Sequence, residues 1–354
     1  DGKKYSWGTI NMHPNRDYPD NLYINKVWLD NLGLKVPETM DEFYDVLKAF
    51  KEQDPNKNGI ADEIPYTFSA THHIQGYGSF FGAYGRIEAF NGAKPTVYDH
   101  FTVEDGKVVY NPVTEEYKNA ILGLRRFWQD GLFDQEGFVQ DPTQFNAKVT
   151  ASDPIVGAMY NWDVLQMPSE AQKQYIAIKP LKASADAPDA VVKKRQNHIS
   201  VSPTGLAITN KCQNPEILAK WIDLFYSDEM TILSYYGPDR LVIDKDGVFH
   251  YDETEKDGST FMAWVQQNAP YDAAPKMLTY DLQEKRVPLE TNKSRKVEVI
   301  KEFYANAPQS VTLPTMNFTT EENEFISSYG MDIQNYAIES QSKWLLGQAD
   351  IEQD

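Results

Sequence analysis

The chain has a single cysteine among its 354 residues. Its 34 basic residues are outnumbered by 52 acidic ones, which gives a net charge of −18. One cysteine excludes an internal disulfide and a cysteine-rich zinc site. The negative charge argues against nucleic acid and anionic membrane surfaces as partners, because both bind stripes of lysine and arginine. No stretch approaches the ~20 apolar residues of a membrane-spanning helix.

Sequence signatures of catalysis are also missing. The chain contains no G-x-S-x-G, H-E-x-x-H, G-x-G-x-x-G or phosphate-loop pattern. Acidic residues are plentiful, so a glycosidase-like pair of carboxylates can be drawn in many places, and sequence does not give their separation. These observations favour a binding protein. A carbohydrate-active enzyme, either a glycoside hydrolase or a polysaccharide lyase, is the alternative.

Hydrophobic periodicity predicts strands that alternate with helices. Thr39 and Glu42 form a capping box at the start of one helix, and Asn214 followed by Pro215 marks the start of another. Further helices are predicted at about 115–130 and 321–346, and a buried strand is predicted at 155–162. The last helix carries an apolar stripe of Phe325, Tyr329, Ile333, Tyr336 and Trp344. This alternation predicts an α/β protein, and the length favours two domains.

The segment DPNKNGIADEIP, from Asp54 to Pro65, begins like a calcium-binding loop. Asp54, Asn56 and Asn58 occupy alternate positions, and Gly59 follows where such a loop turns sharply. The twelfth position, which usually holds a bidentate glutamate, is Pro65. A solvated turn is the alternative, because Asp, Asn and Gly dominate turns.

The remaining oxygen donors come from three residues after the turn. Ile60 offers a backbone carbonyl at the seventh position, and Asp62 and Glu63 replace the missing glutamate. Six or more oxygens with three negative charges suit Ca²⁺ better than the compact Mg²⁺. We therefore predict a structural calcium ion held by Asp54, Asn56, Asn58, Ile60, Asp62 and Glu63. A dockerin-type adhesion module, which usually carries such a loop twice, is disfavoured by the single copy.

Aromatic residues cluster with polar side chains in several turn-like segments. Rings beside hydrogen-bonding groups are typical of sugar-binding surfaces, where an apolar face stacks on the sugar and polar groups bind its hydroxyls. Core packing remains the alternative for each ring. The candidate ligand-binding residues are His73, Tyr77, Phe81, Tyr84, Asn161, Trp162, Asp163 and Tyr236.

Several segments together resemble a known family. The most specific is LYINKVWLDNLGLKVPETMDEFYDVLKAFKEQDPNKNGIADEIP, and it is followed in family order by GKVVYNPVTEEYKNAI, WQDGLFD, VGAMYNW, GLAITNKCQNPEILAKWIDLFYSDE and LPTMNFTTEENEF. They resemble family 1 extracellular solute-binding proteins of ABC importers. The resemblance is strongest to the lipoprotein-type, oligosaccharide-binding branch of Gram-positive bacteria, which is similar to alginate-binding proteins.

This resemblance implies a two-lobe, type II periplasmic-binding-protein-like fold with an incomplete N-terminal lobe. Residues 15–200 and 310–354 are expected to form the C-terminal lobe with the calcium loop. Residues 1–14 and 201–309 are expected to form a hinge strand and the remnant of the N-terminal lobe. In the branch, the same loop residues bind calcium.

The implied function is capture without catalysis. A monomer at the extracellular face of the cytoplasmic membrane, lipid-anchored in the full-length protein, takes an oligosaccharide into a cleft between the lobes and delivers it to the ABC permease. Trp162 matches in position the sugar-stacking tryptophan of the more distant maltose-binding proteins. Arg240 stands where family members often have a glycine after the YG loop, and this departure bears on the role of Tyr236.

Overall fold

The structure is a computed structural model. It describes residues 6–12, 18–70, 72, 75–88, 96–164, 167–194, 200–238, 241–251, 261–270, 274–286, 296–313, 316 and 318–354. The predicted ligand-binding residue His73 and the departure at Arg240 lie outside the described residues. In the described part of the chain, no helix has both the length and the apolar character needed to cross a membrane.

Short strands and helices alternate along the described residues. The strands are β1 (Trp7–Asn11), β2 (Asn21–Asn25), β3 (Ile64–Tyr66), β4 (Phe101–Glu104), β5 (Lys107–Tyr110), β6 (Val156–Asn161), β7 (Tyr175–Ala177), β8 (Val192–Lys194), β9 (Ser200–Leu206), β10 (Leu241–Ile243), β11 (Phe249–Tyr251), β12 (Lys276–Leu278) and β13 (Gln309–Thr312). The helices are α1 (Lys26–Leu32), α2 (Met40–Glu52), α3 (Glu115–Gln129), α4 (Pro142–Val149), α5 (Ser169–Gln172), α6 (Pro215–Asp223), α7 (Asp228–Tyr236), α8 (Phe261–Asn268), α9 (Tyr280–Arg286) and α10 (Thr320–Leu346). A 3₁₀ helix spans Gly78–Tyr84, and a π-helix spans Ile300–Tyr304. The predicted mixed α/β class is confirmed.

The chain divides into two compact units. The first consists of the described parts of Asp1–Asp17 and Asn197–Val297, and it contains the sheet β12-β1-β9 and the hairpin β10–β11. The second consists of the described parts of Tyr18–Gln196 and Glu298–Asp354. Its two sheets have the strand orders β3-β6-β2-β7 and β5-β4-β13-β8.

The sheet β3-β6-β2-β7 is buried on both faces. In β2, Leu22 and Ile24 join one core cluster, whereas Tyr23 joins a second cluster on the opposite face. This follows from the strand period of two, which sends successive side chains to opposite faces. The first cluster also takes in an aromatic group of Phe43, Tyr66, Phe80, Phe127 and Phe133. The sheet is therefore a fixed platform for the loops at its edges.

The predicted helices are present, and their capping differs in detail. At α2, the Thr39 hydroxyl accepts a hydrogen bond from the Glu42 N–H, and the Glu42 carboxylate accepts one from the Thr39 N–H. This is the predicted capping box. At α6, Asn214 is the residue before the helix, with Pro215 in the first turn, but its side chain makes no capping hydrogen bond.

The apolar stripe of α10 is buried only at its C-terminal end. Trp344 is 8% exposed, whereas the other four members of the stripe are 57–67% exposed. Most of the described hydrogen bonds from α10 to other elements come from its C-terminal half. There Gln341 donates to the Glu88 carboxylate, and the carbonyl of Trp344 accepts from Arg125.

Candidate calcium loop and ligand-binding surface

The predicted calcium loop connects the end of α2 to the start of β3. Three of its residues have positive φ angles, which are 46° at Asp54, 60° at Lys57 and 75° at Gly59. Such angles are costly for residues other than glycine. At position 59 the chain has a glycine, which adopts a positive φ without strain because it has no Cβ. The backbone thus coils tightly enough to bring alternate side chains together.

The polar side chains of the loop converge on one another. The Asp54 carboxylate accepts from the Asn58 N–H at 3.2 Å and from the Gly59 N–H at 3.1 Å. The Asn58 Oδ1 atom accepts from the Ile60 N–H at 2.6 Å. The side-chain amide of Asn58 donates to the Asp62 Oδ1 atom at 3.2 Å. Asn56 joins them, since its side-chain amide donates to the Asp62 Oδ1 atom at 3.3 Å and its Oδ1 atom accepts from the Asn58 N–H at 3.0 Å. Five of the six predicted ligands therefore already share one hydrogen-bonded cluster.

Glu63 brings a further carboxylate to the loop. Its Oε1 atom is buried and has no hydrogen-bond partner among the described residues. Burial raises the pKa of Glu63, and the charges of Asp62 and Asp54 raise it further. The three acids thus lie in one negative environment. A buried carboxylate oxygen without a partner is uncommon in proteins and fits a place for a cation.

The donor set fits calcium in its chemistry. Every predicted ligand atom is an oxygen, as hard cations require. Among the described residues, no three His, Cys, Asp or Glu side chains gather closely enough to hold a metal by themselves, so the loop depends on Asn56 and Asn58. The one basic side chain within the loop turns away, because the Lys57 ammonium donates to the Asn31 Oδ1 atom at 2.8 Å.

The second candidate site lies at one edge of the buried sheet. Strand β6 runs parallel to β3 and antiparallel to β2, and its last residue, Asn161, pairs with Asn21 at the start of β2. The carboxyl end of β6 and the amino end of β2 therefore meet at the same edge. We call Asp20, Asn21, Asn161, Trp162 and Asp163 the strand-end surface. Ligands of open α/β sheets bind outside the carboxyl ends of strands, and the strand-end surface lies at the carboxyl end of β6.

Trp162 is half-buried directly after β6. Its backbone N–H donates to the Asn161 Oδ1 atom at 2.9 Å, which ties the loop to the strand end. Asp163 is half-buried beside it, and its charge adds to burial in raising the pKa of the Tyr23 hydroxyl. The three predicted residues follow one another along the chain, and they differ in exposure: Asn161 is buried, whereas Trp162 and Asp163 are partly open to solvent.

Asp20 and the start of β2 supply partners that the sequence did not predict. Asp20 and Asn21 are buried, and the Ser79 hydroxyl donates to the Asp20 carboxylate. Behind them, the Leu22 N–H donates to the Tyr304 hydroxyl at 3.4 Å. The signal was the pair of polar residues directly before the apolar residues of β2. Their position opposite Asn161 comes from the antiparallel pairing of β2 with β6.

Four other predicted ligand-binding rings pack against neighbouring side chains, and three of them are buried. Tyr77 lies with Phe68 in an edge-on contact, and Phe81 lies 4.9 Å from the ring of Tyr117. Both are at most 1% exposed. Their side of the 3₁₀ helix faces the aromatic core, so a sugar reaches neither ring face. Tyr77 also lines a cavity of about 330 Å³ with Phe138 and α10.

Tyr84 and Tyr236 also serve packing. A Cβ atom built on Gly123 would lie 1.9 Å from the Tyr84 hydroxyl oxygen, so this glycine of α3 makes room for the tyrosine. Burial raises the pKa of Tyr84. In the other unit, Tyr236 is 2% exposed and packs edge-on against Tyr235 at 4.6 Å. Tyr236 is thus a packing residue of its unit, whereas Tyr84 is half-buried against the core.

Comparison with known proteins decides the family. The model of the family described as bacterial extracellular solute-binding protein matches residues 10–232, which is more than half of the chain. The chain belongs to this family. The resemblance predicted from the sequence segments is therefore confirmed, and with it the two-lobe fold class of such solute-binding proteins.

Individual relatives agree with that membership. FusA of Streptococcus pneumoniae, a fructooligosaccharide ABC transporter substrate-binding protein, is 27% identical over 347 residues, covering 95% of this chain and 61% of FusA. An EF-hand mutant of FusA in complex with fructo-nystose has a TM-score of 0.79 at 23% identity, covering 97% of this chain and 69% of that one. The alginate-binding protein AlgQ2 without calcium ion has a TM-score of 0.68 at 20% identity, with 99% and 69% covered. This solute-binding protein thus spans less than two thirds of the length of FusA.

Proposed function

We propose that this protein is the substrate-binding subunit of an ABC importer for oligosaccharides. It captures the sugar, leaves it chemically unchanged, and passes it to the permease in the membrane. Family membership and the similarity to FusA support this role. The observation that carries it is the strand-end surface, where a half-buried tryptophan stands between hydrogen-bonding side chains.

The sugar is held by stacking and hydrogen bonding together. The Trp162 ring gives an apolar face for the C–H surface of one sugar ring, while Asn161 and Asp163 bind its hydroxyl groups. Asp20, which is buried beside the start of β2, adds a second negative charge at the same edge. Two carboxylates repel uronic acids and accept hydrogen bonds from hydroxyls, so the ligand is a neutral oligosaccharide. The protein's net charge of −18 acts in the same direction.

The loop from Asp54 to Glu63 holds a structural calcium ion in this proposal. Its support is the convergence of oxygen donors and the buried, unpartnered Glu63 oxygen. The EF-hand named for the FusA mutant indicates a comparable loop in a relative. The ion neutralises carboxylates that otherwise repel one another, and so it fixes the connection between α2 and β3.

The remaining proposals concern the protein's place in the cell. The two compact units correspond to the two lobes of the family fold, with the calcium loop in the larger one. The protein acts as a monomer at the extracellular face of the cytoplasmic membrane, held there by a lipid anchor. The family's description as extracellular supports the location.

Titration calorimetry tests the proposed function. Neutral fructooligosaccharides should bind, and oligogalacturonates of equal length should not. The rival function is a carbohydrate-active enzyme, and product analysis on the same samples separates the two. Release of shorter sugars, abolished by changing one carboxylate, would establish the enzyme and overturn the proposal.

A further inference from the structure

The calcium loop contains an asparagine followed by glycine, at Asn58 and Gly59. In such a pair the glycine backbone nitrogen can attack the side-chain amide carbon of the asparagine. Glycine permits this best because it has no Cβ to obstruct the approach. At Gly59 no atom lies within 4 Å of the position that a Cβ would take, and Asn58 is exposed to solvent.

We propose that Asn58 is a site of spontaneous deamidation and that bound calcium protects it. Three contacts favour the reaction in the absence of the ion. The Asp54 Oδ2 atom accepts from the attacking Gly59 N–H at 3.1 Å, where a base is needed. The Ile60 N–H donates at 2.6 Å to the Asn58 Oδ1 atom, which gains negative charge during the attack.

The third contact concerns the leaving group. The Asp62 carboxylate accepts from the Asn58 side-chain nitrogen at 3.2 Å and 3.4 Å, so it holds the amide nitrogen that must depart. Base, oxyanion donor and leaving-group partner thus surround one amide.

The reaction balances without any further reagent. The bond from the Gly59 nitrogen to the Asn58 Cγ atom forms, and the bond from Cγ to Nδ2 breaks. The proton of the Gly59 N–H passes to the Asp54 carboxylate, solvent gives a proton to the departing nitrogen of the exposed Asn58, and ammonia leaves. One water molecule then opens the cyclic imide to either aspartate or isoaspartate.

Calcium protects because it needs the same atoms, and this step rests on the proposed calcium loop. As ligands, the carboxylates of Asp54 and Asp62 no longer serve as base and leaving-group partner, and the Asn58 Oδ1 atom is fixed in place. The isoaspartate product inserts an extra methylene into the backbone. The alternate spacing of the ligands is then lost, so a loop in which isoaspartate has formed no longer binds the ion.

Tryptic peptide mapping gives a direct test with an internal control. The peptide 58–86 contains Asn58 as its only asparagine, and the peptide 87–107 contains one asparagine, Asn91, also followed by glycine. The protein is incubated at mildly alkaline pH with calcium or with a chelator, and deamidation is followed by mass in both peptides. Calorimetry on the same sample reports whether calcium binds.

We expect calcium to slow deamidation at Asn58 by about tenfold, which is below the ~10²- to 10⁴-fold worth of positioned acid–base groups in enzymes. Asn91 should deamidate at one rate in both conditions. In the chelated protein, Asp54→Asn should slow the reaction at Asn58. Asn58→Asp should form isoaspartate at that position more slowly than wild type, because an ionised carboxylate is a poorer electrophile than an amide.

Two results would overturn the inference while the calcium loop stands. One is an unchanged rate at Asn58 although calorimetry shows bound calcium. The other is an equal change at Asn91, which would mark a general effect of calcium on the protein. Absence of calcium binding in the calorimetry is a different failure, because it overturns the proposed loop itself and the protection with it.

Discussion

The Nδ1 atom of His100 lies 2.7 Å from the Glu88 Oε1 atom, and both side chains are excluded from solvent. The second carboxylate oxygen of Glu88 accepts from Gln341 of α10 at 3.1 Å. The pair therefore links Glu88 and His100 to α10, the last helix of the larger unit. Buried charged groups of this kind are tolerated only when they are paired and hydrogen-bonded.

The His100–Glu88 pair should make stability depend on pH. Burial alone lowers the pKa of His100, but the neighbouring Glu88 and Asp99 charges outweigh it, so the pKa is raised from its ordinary value of 6.5. A raised histidine pKa adds stability that is fully present below the unfolded value and is lost as pH rises through the folded value. Urea unfolding of wild type and His100→Asn across that range should show the loss in wild type only. Parallel pH profiles for the two proteins would contradict it.

His72 should act in the opposite direction. Burial, with the charge of Lys193 added, lowers the pKa of His72 from 6.5 to about 4. Its Nδ1 atom accepts from the Gln75 N–H at 3.1 Å, a hydrogen bond that protonation there removes. Because the unfolded histidine binds its proton first, stability falls as pH drops from 6.5 towards 4.

The variant His72→Gln should lose less of its unfolding free energy in acid than wild type does. The difference should reach up to about 3 kcal/mol, because each unit of pKa shift corresponds to about 1.36 kcal/mol. Unfolding free energies measured at several pH values on both proteins check it. An equal loss of unfolding free energy at low pH in His72→Gln would show that groups other than His72 cause it.

Trp162→Ala should weaken sugar binding and leave folding nearly unchanged. The ring is half-buried at the end of β6, and losing an aromatic stacking platform costs ~1 to 3 kcal/mol in comparable base-stacking sites. Trp221→Ala is the matched control, since Trp221 is 51% exposed on α6 in the other unit. Calorimetry and thermal melting are measured on both variants.

The alternative for Trp162 is packing beneath its loop. Replacing a core tryptophan by alanine costs ~3 to 5 kcal/mol of stability. A large fall in melting temperature with unchanged affinity in the folded fraction would therefore return Trp162 to the core.

Removing calcium should lower the melting temperature without unfolding the protein. The loop is one connection in a unit whose core is built from buried aromatic residues elsewhere, so its loss is local. Asp62→Asn should abolish the calcium-dependent rise, while Asp244→Asn, at an exposed turn in the other unit, should keep it. Melting curves with calcium and with a chelator measure this. A rise that survives in Asp62→Asn would place the ion outside the loop.

Local signals predicted the local structure well. Thr39 and Glu42 correctly predicted the start of α2, because a capping box depends only on two residues three positions apart. The same holds for the alternating Asp54, Asn56 and Asn58, which the tight turn at Gly59 brings together. Their order along the chain was sufficient to predict their convergence.

The aromatic residues could not be sorted in this way. Tyr77 and Phe81 lie in a glycine-rich segment that looks like an exposed loop, yet the segment folds as a 3₁₀ helix against α3 and their rings enter the core. Phe325 has the spacing of a core-facing residue and is exposed. Burial of a ring is decided by elements distant in sequence, and so is the pairing that places Asn21 beside Asn161.

The most direct test of the proposed function is titration of the protein with a neutral fructooligosaccharide in the presence of calcium, with product analysis of the same solution afterwards. Our account predicts a saturable heat of binding, its reduction in Trp162→Ala, and recovery of the sugar unchanged. Absence of binding to any neutral oligosaccharide, or recovery of cleaved sugar, would contradict it.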